Sequence, residues 1–203
     1  MTFSDNRKVA GTLLLVGSAQ FIIALILAEA VYPGYSTSAN YISDLGVWSK
    51  PSAAIFNASI ILFGLLLMTG AYYIQKDFKN KSISVLFFFA GAGAMGVGIF
   101  PEDTFLVSGL PVFHAISAMT AFLLGGIGAV ASYKVTDSPF KYISAIMGTT
   151  SLIATMLFLS TSNLDYLGIG AGGMERMIAY PTLLWMLCFS GHLLTGHKQS
   201  EIQ

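Results

Sequence analysis

Ionisable side chains cluster at a few connections between apolar stretches: Asp44, then Glu102 and Asp103 with His114 eleven residues on, then Glu175 and Arg176. A carboxylate beside an imidazole suits general acid–base chemistry, with Asp44 or Asp103 as base and His114 as acid or base. A set made of Asp44, Asp103, His114 and Glu175 would also suit a divalent metal, and one histidine among carboxylates equally suits a proton relay. The bland account of His114 is a neutral, hydrogen-bonded packing histidine. Glu175 has one too, because an acid in a helix's first turn complements the macrodipole. Arg176 opposes that dipole. It is expected to pair with Asp44, Glu102, Asp103 or Glu175, or to receive an anionic headgroup. Asn40, Ser43 and Glu102 complete the candidate binding groups. His192 and His197, five residues apart and so roughly 140° apart on a helix, are poor partners for one metal. The lone cysteine, Cys188, allows no internal disulfide or thiolate cage.

The segments that must position these groups are apolar. Of 203 residues 55% are hydrophobic, 13% aromatic and only 10% charged, where soluble domains carry about a quarter charged residues. Ten bases cancel ten acids, so no global field gathers nucleic acid, and disorder is excluded as well. A membrane-crossing helix needs about 20 apolar residues, and six such stretches occur, near 9–31, 53–75, 82–100, 111–133, 142–160 and 175–197. Continuous apolar runs favour helices over a barrel. The expected architecture is therefore all-α, a polytopic six-transmembrane-helix bundle forming a single integral membrane domain. The first stretch exceeds the apolar core of about 7 to 15 residues typical of a cleaved signal peptide, and is expected to stay in the mature chain.

With six spans both termini share a side. Eight of the ten lysines and arginines fall there, leaving Lys50 and Arg176 opposite, so both termini are expected in the cytoplasm of a multi-pass cell-membrane protein. All six candidate ionisable groups then reach the outer face. The connection from Tyr32 to Trp48 is long, aromatic and rich in hydroxyl and amide groups, as functional loops are. Within it, Asn40 to Gly46 reads as a short helix capped by Ser38 or Asn40, packing Tyr41, Ile42 and Leu45 downward and aiming Ser43 and Asp44 at one point. The tyrosines and Trp48 are adequately explained as an interfacial belt. Gly168 to Gly173 read as a hinge or an anion nest. The small residues of Ala90–Gly98 and Gly125–Gly128 permit close helix approach, and mark the third and fourth spans as an inner pair.

Pro33-Gly34-Tyr35-Ser36, Tyr41-Ile42-Ser43-Asp44-Leu45-Gly46, Phe56-Asn57, Phe100-Pro101-Glu102-Asp103 and His114 resemble the DUF998 family of multi-spanning prokaryotic membrane proteins across essentially the whole chain. The resemblance implies a six-helix fold and importance for Ser43, Asp44, Asp103 and His114. It implies no reaction. Intramembrane metal-dependent hydrolases related to alkaline ceramidases invite comparison, but the late paired histidines of that group have no counterpart here.

Three functions remain in view. A hydrolase-like enzyme or lipid binder would work at the outer leaflet, with membrane lipid as partner. A transporter of a small solute or lipid would use the same residues, although no repeat of the two halves supports it. A structural partner would use the glycine faces alone. A homo-oligomer is compatible with each.

Overall fold

The computed structural model describes residues 3–78, 81–102, 111–160 and 166–195. Six helices account for most of them: α1 Phe3–Val31, α2 Ala53–Phe78, α3 Lys81–Ile99, α4 Pro111–Ala131, α5 Phe140–Ser160 and α6 Gly170–Thr195. Each contains a stretch long and apolar enough to cross a membrane. The boundaries follow the hydropathy closely except at the starts of α1, at Phe3 instead of near Val9, and of α6, at Gly170 instead of near Glu175. Part of the glycine stretch read as a hinge is thus the first turn of α6.

Every helix packs on those before and after it, and α6 returns to α1, closing a ring. Arg7 of α1 meets His192 of α6 at 3.4 Å and Asp77 of α2 at 4.0 Å at one end. Glu29 meets Arg176 at the other. The first is the terminal end of the bundle and the second its loop end.

Glycines set the helix spacing. A Cβ on Gly91 would lie 2.8 Å from the Gly64 carbonyl of α2, one on Gly93 2.6 Å from Ala121 N of α4, and one on Gly148 2.7 Å from Gly126 O across α4 and α5. Backbones touch there, as small residues allow in a setting where lipid is as apolar as leucine. The inner pair expected from these glycines does not occur. In α3, 56% of the apolar window is buried, but in α4 only 22%, because in a ring each helix keeps an outward face whatever its glycine content.

The terminal half is closed by stacked rings. Fully buried Trp185 and Phe189 of α6 stack at 4.9 Å, Phe87 of α3 tilts against Trp185 at 5.8 Å, and Phe140 of α5 stacks on Phe189 at 6.3 Å. Trp185 Nε1 donates to Ser144 Oγ at 2.9 Å, so its polar edge is satisfied in the apolar interior. Above this floor Pro181 removes a donor from the α6 ladder. Ser151 of α5 donates to the Ile178 carbonyl at that level, 2.7 Å away, tying α5 to α6 one residue beyond the Met177 carbonyl whose ladder donor Pro181 removes.

Candidate functional site

The connection from α1 to α2 folds over the loop end of the ring. Its only helical piece is a 3-10 turn, Ser43–Gly46, shorter than the helix expected from Asn40 and without a Ser38 or Asn40 cap. The reason is local. Asp44 Oδ2 accepts from Tyr41 N and from Asn40 Nδ2, both at 3.0 Å, a side-chain arrangement that competes with helix formation over these residues. Ile42 and Leu45 are buried as their apolarity requires, and Tyr41 sets its ring edge-on to Phe158.

Four anchors hold this connection down. Ser52 Oγ donates to Leu45 O and Asn57 Nδ2 to Gly46 O, each at 2.8 Å. Ile42 N donates to the carboxylate of Glu175. Gly172 N donates to Ser38 O at 2.9 Å. The seat for residues 37–40 requires bare backbone: Gly170 has φ +71°, and a Cβ on Gly172 would collide with Asn40 O. The glycines read as an anion nest are therefore filled by the chain's own carbonyls.

Arg176 is the main clamp. Nη1 donates to Thr37 O, Asn40 O and Gly172 O at 2.9, 3.2 and 3.0 Å, while Nη2 reaches Glu29 Oε1 at 2.6 Å and Tyr35 Oη at 2.7 Å. Its partner is thus Glu29, not Asp44, Glu102 or Glu175 as expected. Burial pushes the Tyr35 phenol up to about 12 despite the favourable guanidinium beside it.

Beneath the connection lies a cavity. On three helices its lining spans twelve positions, Phe56 to Leu67 of α2, His114 to Gly125 of α4 and Glu175 to Met186 of α6, or about 16 Å of depth at a rise of 1.5 Å per residue. It holds about 90 Å³, less than the roughly 150 Å³ that admits one benzene, so it encloses a few carbons of one chain and not two chains side by side. Ser43, His114 and Glu175 line it at the loop end, and below them only Thr182 interrupts a wall of aromatic, aliphatic and small residues. Ser43 Oγ donates to Glu102 Oε1 at 2.6 Å, and His114 Nε2 stands 3.6 Å from the same oxygen. His114 Nδ1 donates to Phe100 O at 2.8 Å, because a carbonyl only accepts. Glu102 is partly exposed, so this contact joins the cavity's polar end to the surface.

The expected residues therefore divide. Ser43, Glu102, His114 and Glu175 gather at the cavity's polar end, while Asn40, Asp44 and Arg176 stabilise the covering connection and lie outside the lining. Ser43 and Asp44 do not share a point: one faces the cavity and the other turns back to the backbone. Asp103 lies outside the described residues. Among the described residues no three of His, Cys, Asp or Glu come together as metal ligands. Sequence reasoning missed Glu29 as the clamp's partner, though its place two residues before the end of α1 was a signal. It also missed Phe56, Gly125 and Thr182 as cavity wall, for which residue type gave no signal.

Six spanning-length helices closed into a ring around a cavity that is polar at one end define a multi-pass helical membrane protein. The chain belongs to DUF998, a family described as a protein of unknown function, whose model matches residues 15–192. No curated protein and no solved structure matches it.

Proposed function

We propose that this protein lodges the hydrocarbon chain of a membrane lipid in the cavity, holding the lipid's polar end at Ser43, His114 and Glu175 beside Glu102. In this reading the loop end faces outward and both termini are cytoplasmic, as the basic residues at the terminal end favour. The observation that carries it is the division of the lining: polar at one end, apolar for the rest of its depth, which is the polarity of a single-chain amphiphile. The ring-stacked floor supports a one-ended chamber over a transport path.

The test is native mass spectrometry of protein purified from its own membranes. Wild type carries a retained amphiphile, and Gly125→Phe, which fills open space at the cavity wall, does not. Equal retention by both proteins refutes the proposal. The Ser43–Glu102–His114 contact favours a second reading, acid–base hydrolysis of the bound lipid. Cleaved lipid in wild type and intact lipid in His114→Gln would select it.

A further inference from the structure

The lipid-chamber reading leaves open which headgroup the polar end prefers, and the following rests on that reading. Glu175 is 6% exposed and lines the cavity. One carboxylate oxygen takes the Ile42 N–H, and the other has no hydrogen-bond partner among the described residues. No lysine, arginine or histidine forms an ion pair with it there. Its neighbour in sequence, Arg176, points away and is engaged by Glu29, Tyr35 and three carbonyls.

The second carboxylate at this end, Glu102, has His114 Nε2 at 3.6 Å and accepts from Ser43. The polar end thus holds two carboxylates against one imidazole, with the nearby guanidinium already paired. A headgroup seated here meets hydrogen-bond acceptors and negative charge. A carboxyl buried without an ion-pair partner is costly to charge alone, and a ligand that brings a positive group to it removes that cost.

We infer that the chamber takes a single-chain amphiphile ending in a primary amine, with the ammonium seated between Glu175 and Glu102. Its three donors match the acceptors that the protein leaves open. A fatty acid would place a third carboxylate among two and is disfavoured. The cavity's width limits the ligand to one alkyl chain, and its depth sets how much of that chain is enclosed.

The experiment offers detergent-purified full-length protein decylamine, decanol or decanoic acid, three ligands that differ only in the head, and reads bound fractions by native mass spectrometry. Decylamine should bind at least about tenfold more tightly than decanoic acid, a difference of about 1.4 kcal/mol. Glu175→Gln, which keeps an acceptor for Ile42 N, should bring decylamine to within about twofold of decanol. Glu102→Gln is the second variant should the first not fold, and should narrow the same gap. Gly125→Phe should weaken all three ligands. Decanoic acid binding as well as decylamine, with both lost in Gly125→Phe, overturns the amine assignment and leaves the chamber standing. An amine advantage that survives both carboxylate variants also overturns it. Binding of none of the three, or binding that Gly125→Phe leaves untouched, overturns the chamber reading as well.

Discussion

At the scale of single residues, the covering connection depends on polar groups that are only partly screened from water. Tyr35 illustrates this. Its hydroxyl donates to Tyr41 O at 2.8 Å and accepts from Arg176 at 2.7 Å, and burial raises its ionisation from the ordinary 10.0 to about 12. A group whose folded value lies above its unfolded one contributes stability that is complete below the unfolded value and lost as pH climbs through the folded one. The thermal midpoint of wild type in micelles should therefore fall more steeply between about pH 10 and 12 than that of Tyr35→Phe. Parallel midpoints for the two proteins over that interval would show that Tyr35 does not couple the connection to ionisation. The residue scale is also where the chain was hardest to read in advance. The glutamate that closes the clamp, Glu29, is 147 positions from Arg176, and its place near the end of α1 shows which end of the bundle it reaches but not which cation it meets there. The bonds that Asp44 Oδ2 accepts from Asn40 Nδ2 and the Tyr41 amide were likewise not readable from the residue types alone.

At the scale of elements, the helices were legible because hydrocarbon imposes length and polarity so strongly that composition alone locates them. What composition does not encode is where space remains between them. Gly64 and Gly125 are the same residue type in equally apolar helices, yet a Cβ on Gly64 would strike the Gly91 carbonyl and one on Gly125 would meet nothing within 4 Å. Gly64→Ala should cost about 1–3 kcal/mol through forced separation of α2 and α3. Gly125→Ala should be neutral, or stabilising by up to about 1 kcal/mol from helix propensity. Thermal unfolding of both variants in one detergent decides this, and equal loss in the two would mean that the cavity wall at α4 is closed. The same distinction explains why the small-residue runs suggested an inner pair: they report close contact with a neighbour, which a ring supplies to every helix, and not distance from lipid.

At the scale of the whole molecule, the two ends differ in chemistry. Arg7, Lys8, Lys76, Lys81, Lys134 and Lys141 gather at the terminal end, where Lys76 sits 4.3 Å over the Tyr72 ring and Lys141 5.1 Å over that of Tyr142, pairing charge with aromatic rings as at a headgroup boundary. Exposed Trp48 marks the opposite end. In a Cys188→Ser background, Trp48→Cys should react with a membrane-impermeant maleimide on intact cells, while Lys134→Cys should react only after permeabilisation. The reverse pattern would invert the proposed orientation and place the cavity's polar end in the cytoplasm.

The stacked floor of Trp185, Phe189, Phe87 and Phe140 has a consequence of its own. In the lipid-chamber reading a guest admitted above it departs by the door it used, so occupancy answers to the guest's activity on one surface alone. A chamber of that kind harvests neither a concentration gradient nor the membrane voltage, and any work it performs comes from what is bound.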